Sequence, residues 1–250
     1  WQPQLLIITT HPSDDDTGRR ENVHLFDIPH ASLSRSDRAN LGLLLAASTG
    51  ILSERASVVC VTGQAGGKLD CITVSKPGSY LQAMFTAKVT RRSAIIPPAV
   101  ILRVLSLAIE LSAEGREAKA VGAMFVIGDS RQVLRHAHQL VLNPFHGYAH
   151  HLRSVLDPSL AETIKEFATI DGAFIIQADG TVLSAGTYLV PRAHITGLPQ
   201  GLGTRHQTAA AMTAQTQGVA ICVSQSTGTV TVFRNGTIVF TLERASMTRW

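Results

Sequence analysis

The sequence predicts an α/β protein, and two observations carry this prediction. Two short runs rich in β-branched residues, 5–10 and 57–62, have the composition of buried strands and end in turn-forming residues. A helical segment, 39–54, lies between them. Strand, helix, strand is the order typical of α/β layers. Residues 70–75 form a further strand candidate before the turn signal at Lys76-Pro77-Gly78.

A break between these elements and the rest of the chain is indicated by Pro97-Pro98, which is typical of a helix start rather than a helix interior. We therefore expect two domains. Residues 1–90 form a small α/β domain with a regulatory or oligomerisation role, and residues 91–250 form a larger domain that carries the chemistry.

The larger domain begins with a segment, 99–113, that is apolar nearly all round, which predicts a helix enclosed in the core. Asn235-Gly236, between two alternating segments, is the strongest hairpin signal in the chain. Further helices are predicted over 132–142, 160–168 and 205–217, and strands over 121–128, 173–177, 181–189, 219–224, 229–234 and 237–243.

Composition excludes several classes of protein. The chain is 45% apolar and 16% charged, which is an ordinary globular balance, and its apolar runs are too short to cross a membrane. Its three cysteines form no CxxC pair, so a disulfide framework is not indicated and a reducing cytoplasm is the simplest location. The net charge of +4 is scattered, so we expect no nucleic-acid partner and no membrane partner.

Gly203-Thr204-Arg205-His206 opens a predicted helix with a glycine, a hydroxyl, a cation and an imidazole. The first turn of a helix leaves backbone N–H groups unpaired and carries a partial positive charge, so it attracts phosphate. Arg205 can add a bidentate contact and His206 a further donor. The alternative is an ordinary capped helix whose side chains face water.

Asp171-Gly172-Ala173 places a carboxylate and two small residues directly before a predicted strand. A nucleotide can approach such a backbone closely, and an aspartate at a strand edge can hold Mg²⁺ or Mn²⁺ and polarise a hydroxyl. The alternative is a tight turn. A third group, Ser224 to Thr227, follows the buried strand 219–223 and offers hydroxyls to phosphate, although such residues are also common in turns.

Together these segments resemble the diadenylate cyclase family, over about residues 122–243. Members carry Asp-Gly-Ala, found here at 171–173, and Gly-Thr-Arg-His-Arg, found here at 203–207 with Gln207 in place of the third basic residue. Val223-Ser224 and Thr227-Gly228 extend the match. The resemblance implies a catalytic domain with a central mixed β-sheet flanked by helices. The segment before it looks like the α/β domain of archaeal-type members.

The resemblance also implies an activity, the joining of two ATP molecules into cyclic di-AMP with release of two pyrophosphates. Two subunits of a homodimer or larger homo-oligomer face each other, and the 3′-hydroxyl of one ATP attacks the α-phosphate of the other. Proximity of the two nucleotides supplies much of the rate. Because Gln207 lacks a charge, an alternative is a catalytically weak sensor that binds ATP or cyclic di-AMP.

Roles follow from the same resemblance. Asp171 is the implied metal ligand, for Mn²⁺ or Mg²⁺, and one of three implied catalytic residues with Arg205 and His206. The implied ATP-binding residues include the adenine wall, Tyr188 and Leu189, and the positions Gly172, Ala173, Gly203, Thr204, Gln207, Ser224 and Ser226.

Overall fold

The computed structural model describes residues 5–9, 22–28, 33–52, 56–63, 68–76, 95–117, 119–193, 195 and 197–243. The chain divides into two compact units, one of Trp1–Gln82 with Ala245–Trp250 and one of Ala83–Arg244. The domain boundary expected near residue 90 lies outside the described residues. Within the described part of the chain, no helix combines the length and the hydrophobicity that a membrane span needs.

In its described residues, the first unit contains two separate two-stranded sheets and one helix. Strands β1 (Leu5–Thr9) and β2 (Val23–Asp27) pair in parallel, and β3 (Val58–Gly63) and β4 (Leu69–Ser75) pair antiparallel. Helix α1 (Arg35–Ser48) contacts β1, β2 and β3. It begins four residues before the predicted start because the Ser34 hydroxyl accepts a hydrogen bond from the Asp37 N–H and caps it.

The second unit is built on a seven-stranded mixed sheet, as the family resemblance predicts. Its strands are β5 (Ala123–Ile127), β6 (Ala137–Gln139), β7 (Ala173–Ile176), β8 (Val182–Leu189), β9 (Val219–Val223), β10 (Val230–Arg234) and β11 (Thr237–Leu242). Their order across the sheet is β11-β10-β9-β5-β7-β8-β6. Strands β5 and β7 pair in parallel and every other neighbouring pair is antiparallel.

Helices cover the sheet. They are α2 (Pro98–Glu114), α3 (Ser130–Leu134), α4 (Ala161–Phe167) and α5 (Thr204–Gln215), with 3₁₀ turns at His150–Arg153 and Pro158–Leu160. Helix α5 packs its alanines against side chains such as Met124 and Val126 of β5. The alternate residues of β5, Phe125 and Ile127, are also fully buried, so the opposite face is covered too.

Helix α2 confirms the prediction of an enclosed helix. Eight of its residues are buried, and it contacts β5, β9, β10 and α4. Pro98 occupies its first turn, as the double proline predicts. The ammonium of Lys165 in α4 is almost fully buried and joins α4 to α2, since it pairs with Glu110 at 2.8 Å and Glu114 at 3.1 Å and also with Glu162 at 3.3 Å.

One element prediction is wrong. The helix expected over residues 132–142 ends at Leu134, and β6 takes its place from Ala137. The apolar residues of this segment recur at helical spacing, but Ala137 and Gln139 pair with β8 instead. Completion of the sheet edge therefore overrides the local helical pattern.

Candidate active site

The segments singled out in the sequence meet at one end of the central strands. Parallel β5 and β7 both begin at this end, and antiparallel β9 finishes there. The register that pairs Phe125 with Phe174 brings Gly122 level with Asp171 when it is extended towards the start of both strands. The site thus lies at the amino ends of the parallel pair and at the carboxyl end of β9.

Asp171 and Arg205 contact each other directly. The Arg205 guanidinium donates a hydrogen bond from Nη2 to Asp171 Oδ1 at 2.7 Å. The same oxygen accepts a hydrogen bond from the Gly172 N–H at 3.0 Å. The carboxylate side chain is 82% exposed and the arginine side chain 31% exposed, so both groups remain open to a ligand.

The start of α5 presents unpaired donors next to this ion pair. Gly203 is the N-cap, and the Gly203 carbonyl accepts hydrogen bonds from the N–H groups of His206 and Gln207. Among the described residues, no acceptor reaches the N–H of Thr204 or of Arg205. A methyl group built on Gly203 would meet nothing within 4 Å, so there is room for an anion in front of the helix.

His206 lies beneath this surface rather than on it. Its side chain is buried, and its ring packs edge-on against Phe233 with 5.9 Å between ring centroids. Burial, and secondly the positive charge of Arg205, lower the pKa of His206 below the ordinary histidine value. The imidazole is therefore neutral at pH 7, and a contact of His206 with phosphate would be a neutral hydrogen bond.

The hydroxyl-bearing residues that follow β9, Ser224 to Thr227, form hydrogen bonds within their own turn. Ser224 Oγ lies 3.2 Å from Ser226 Oγ and accepts a hydrogen bond from the Thr227 N–H at 3.3 Å. Gln225, which follows Ser224, lies against Gly122 at the start of β5. Gly122 in turn lies against Arg205. Through these contacts the loop after β9 adjoins the Asp171–Arg205 pair.

Two glycines fix the position of Asp171. Gly172 has a φ of 109°, and a side chain on it would come within 2.7 Å of the carbonyl carbon of Gly186 and the nitrogen of Thr187. Gly186 has a φ of 62° and lies within β8, where the pairing with β7 shifts register. Only glycine fits such a close backbone contact with positive φ, so the bend before Ala173 is built into the sequence.

Comparison with known proteins agrees with this geometry. The family model described as DisA bacterial checkpoint controller nucleotide-binding matches residues 110–238. The diadenylate cyclase of Methanocaldococcus jannaschii is 36% identical over 222 residues, which are 88% of this chain and 71% of that protein. The diadenylate cyclase of Haloferax volcanii is 32% identical over 221 residues, which are 87% of this chain and 79% of that protein.

This chain belongs to the diadenylate cyclase family. It is therefore a member of a family of nucleotidyltransferases, as the motifs at 171–173 and 203–207 indicate. A more distant match covers half of the chain: the DNA integrity scanning protein DisA of Clostridium kluyveri is 35% identical over 127 residues, which are 32% of that protein.

Gln207 stands where the diadenylate cyclase motif carries its third basic residue. It is exposed, and its side-chain amide donates a hydrogen bond to the Leu202 carbonyl at 3.3 Å. It therefore contacts the loop that precedes α5.

The two residues expected to form an adenine wall lie on opposite faces of β8. Tyr188 is half exposed and its ring packs against His138 on the edge strand β6, with 5.0 Å between ring centroids. Leu189 is buried in the core beneath α5. Neighbouring residues of a strand point to opposite faces, so their side chains do not lie side by side on one surface.

Sequence reasoning missed two residues of this site, Gly122 and Gly186. For Gly186 a signal exists, because a lone glycine inside a strand pattern indicates a bulge or a close backbone approach. Gly122 is identified only by the contacts that the sheet order creates. Gln225 lies within the predicted group Ser224 to Thr227, but its contact with Gly122 is not predicted by any local pattern.

Proposed function

We propose that this chain condenses two ATP molecules into cyclic di-AMP and two pyrophosphates. The observation that carries the proposal is the 2.7 Å contact between Asp171 and Arg205 in front of the open first turn of α5. An acidic group and a cationic group that can bind phosphate thus lie close enough to contact one nucleotide. Membership of the diadenylate cyclase family supports the same reaction.

The triphosphate binds at the start of α5. The free N–H groups of Thr204 and Arg205 and the positive end of the helix favour an anion there, and the Arg205 guanidinium adds charge. The Thr204 and Ser224 hydroxyls are further donors, and Ser226 lies beside Ser224. These groups also stabilise the negative charge that develops on the α-phosphate as pyrophosphate leaves.

Asp171 is the residue that would hold Mn²⁺ or Mg²⁺. Among the described residues, no three histidine, cysteine or acidic side chains gather at a metal site, and no hydrogen bond reaches Asp171 Oδ2. A single free carboxylate oxygen fits a cation that is held mostly by phosphates and water, which is the usual way in which proteins bind Mg²⁺. The bound ion would neutralise phosphate charge.

The ion pair must rearrange when substrate binds. Arg205 and Asp171 now neutralise each other, and the guanidinium will exchange part of this contact for phosphate oxygens. Exposed ion pairs of this kind contribute little free energy, so the exchange is inexpensive. Asp171 is then free to accept a hydrogen bond from a ribose hydroxyl, which makes the hydroxyl oxygen more nucleophilic.

The complete reaction uses two subunits. Each holds one ATP, and the 3′-oxygen of one nucleotide forms a bond to the α-phosphorus of the other while the bond from that phosphorus to pyrophosphate breaks. The hydroxyl proton passes to Asp171 or to solvent. A second, identical transfer closes the ring. Facing sites in a homodimer or larger homo-oligomer bring the two nucleotides together, which replaces an entropically costly encounter.

On the base side of the nucleotide, Tyr188 offers half of its side chain to a ligand. Gly172 lies next to Asp171 and is partly exposed, so the nucleotide can approach its backbone, whereas Ala173 is buried in the core. Leu189 can contribute through its backbone, because its side chain is in the core.

The test is a product assay with ATP and either Mn²⁺ or Mg²⁺, read by mass spectrometry. We expect cyclic di-AMP from the wild type and a loss of at least about 100-fold in Asp171→Asn, since the lost carboxylate removes general-base assistance. Asp179→Asn is the matched control. Asp179 is exposed in the β7–β8 turn, where its Oδ1 accepts a hydrogen bond from Thr181 N–H that asparagine preserves.

A second candidate is the sensor that binds nucleotide without turnover, and Gln207 is the observation that favours it. Calorimetric titration with ATP and with cyclic di-AMP separates the two. Binding without product under either metal establishes the sensor and rejects the cyclase, whereas product formation with normal dependence on Asp171 rejects the sensor.

A further inference from the structure

Gly122 lies immediately before β5, buried at the centre of the site. Its neighbours come from distant parts of the chain. A methyl group built on its α-carbon would lie 3.0 Å from Arg205 Nη1, 3.0 Å from the β-carbon of Gln225 and 3.4 Å from the Gln225 nitrogen. Carbon contacts in proteins are optimal at about 3.5 to 4.0 Å, so this space is too small for a side chain.

The backbone does not explain why position 122 is glycine. Among the residues that the structure describes, eleven glycines have positive φ, and Gly122 is not one of them. Any residue can adopt its backbone conformation. The requirement for glycine therefore comes from its surroundings, where the Arg205 guanidinium and the Gln225 β-carbon are equally close.

Arg205 is held from both ends. Its backbone is fixed in the first turn of α5, and its carbonyl accepts a contact from the Cys222 thiol at 3.6 Å. At the other end, Nη2 binds Asp171 and Nη1 lies over Gly122. The flat guanidinium is thus bounded by a carboxylate on one side and by a bare α-carbon on the other.

We propose that Gly122 is a positioning residue for Arg205: the absence of a side chain at this position sets where the guanidinium lies relative to Asp171 and the incoming phosphates. This inference rests on the proposed function, because it assigns Arg205 to phosphate. Gly122 itself touches no reacting atom.

The consequence of adding a methyl group is specific. Of the neighbours, the guanidinium is the far end of a flexible side chain, so it yields before the backbone does. Nη1 moves by a few tenths of an ångström or more to restore a normal contact. The displaced guanidinium can then no longer contact Asp171 and phosphate at the same time. A misplacement of about 1 Å in a catalytic site can lower the rate by a factor of about 100.

The experiment compares Gly122→Ala with Gly218→Ala. Gly218 directly precedes β9 and lies at the opposite end of the β5–β9 pair from Gly122. It also lacks a positive φ. A methyl group built on it would lie 3.1 Å from the Ile127 carbonyl oxygen and 3.3 Å from the Gly128 carbonyl oxygen. It therefore introduces comparable crowding far from Asp171. We expect kcat/KM for ATP to fall about tenfold in Gly122→Ala and less than about twofold in Gly218→Ala, for folded protein.

A crystal structure of Gly122→Ala provides a readout that does not depend on activity. We expect Arg205 Nη1 to be displaced and the Nη2 contact with Asp171 to lengthen beyond its present 2.7 Å. An unchanged contact overturns the proposal whatever the rate. Failure of the wild type to make product rejects the proposed function instead, so the two ideas fail separately.

The Arg205→Lys background gives a second test. Lysine has no Nη1, so its side chain does not crowd the added methyl group. We therefore expect Gly122→Ala to lower kcat/KM for ATP by less than a further factor of about two in the Arg205→Lys background. The same tenfold loss in both backgrounds means that Gly122 acts through the strand rather than through Arg205. That result also overturns the proposal, and the crystal structure decides if Arg205→Lys is too slow to assay.

Discussion

The side chains of Asp171 and Arg205 make a pair that is better suited to function than to stability. Ion pairs at the surface contribute between about 0 and 1 kcal/mol, and the carboxylate here is 82% exposed. The pair orients the carboxylate and the guanidinium but holds them together only weakly. A nucleotide can therefore separate them at little cost in free energy.

His206 gives a prediction about pH. Because burial and the Arg205 charge lower its pKa, the native protein takes up this proton less readily than the unfolded chain. The free energy of unfolding falls as the pH drops from the ordinary histidine value through the lowered one, and the effect is absent above the ordinary value. Removal of the charge in Arg205→Met will raise the pKa of His206, as measured by NMR titration of its ring.

Arg192→Met is the control for that titration, because Arg192 is exposed and its N–H binds Gln215 at the far end of α5. It removes one cation about 15 Å away along the helix. An equal rise in the pKa of His206 in both variants contradicts a local effect of Arg205.

The sequence predicts that Asp171 and the start of α5 lie together, but it does not predict which residues support them. The convergence of Asp171 with Arg205 was expected from the motifs and is seen as a direct contact. Gly122 was not expected, since its role depends on β5 lying beside both β7 and β9. Such neighbours are decided by the sheet order, which no short pattern encodes.

At the scale of elements, the β7–β8 pair is shaped by the contact between Gly172 and Gly186. We expect Gly172→Ala to lower the free energy of unfolding by about 3 kcal/mol or more, because the methyl group adds a backbone clash to the cost of positive φ. Urea denaturation measures this loss. Activity will fall with it, because Asp171 moves.

Gly147→Ala is the matched control for backbone strain alone. Gly147 has a φ of 84°, but a methyl group on it would meet nothing within 4 Å. We expect a loss of about 1 kcal/mol and normal activity. Equal losses in the two variants contradict the idea that the glycine contact, rather than φ, sets the bend.

The junction between α2 and α4 gives a prediction about charge. Lys165→Met leaves Glu110, Glu114 and Glu162 without their shared cation, and we expect the free energy of unfolding to fall by about 2 kcal/mol at pH 7. The pKa of Glu162 is lowered, chiefly by its hydrogen bond to Lys165. The loss will therefore shrink as the pH falls through that lowered pKa and Glu162 becomes protonated.

Lys119→Met is the control for this prediction, since Lys119 is exposed and lies just beyond α2. We expect it to change the free energy of unfolding by less than about 0.5 kcal/mol. If Lys165→Met is as stable as the wild type at pH 7, the desolvation cost of burying the ammonium equals the stabilisation from its three ion pairs, which contradicts the prediction.

Most elements of the second unit follow from local pattern. The Asn235-Gly236 turn has positive φ at both residues and joins β10 to β11, as the hairpin signal predicts. Strand β2 is not predicted by the sequence, and β6 takes the place of the helix expected over 132–142. Both cases involve strands whose stability comes from a distant partner.

At the scale of the whole molecule, the proposed two-subunit mechanism implies a rate that depends on protein concentration. We expect the rate per subunit to fall on dilution below the dissociation constant of the dimer, because in this mechanism no single subunit holds both nucleotides. Activity measured over a dilution series, with sedimentation at the same concentrations, gives the comparison. An unchanged rate from sedimenting monomers contradicts the two-subunit scheme.

The break at Pro97-Pro98 predicts a small and a large part, whereas no pattern predicts the strand pairing within the small part. Strands β1 and β3 belong to different sheets, although they flank one helix as the strand, helix, strand order suggested. Pattern reasoning identifies the order of elements along the chain. The choice of partner depends on packing among all of them at once.

The meeting of three strand ends has a consequence for the assembly of the domain. Strands β5 and β7 bring residues 122 and 171 together, whereas residue 225 reaches residue 122 only through the pairing of β9 with β5. A ligand that binds across these residues would therefore stabilise the assembled sheet rather than its separate strands.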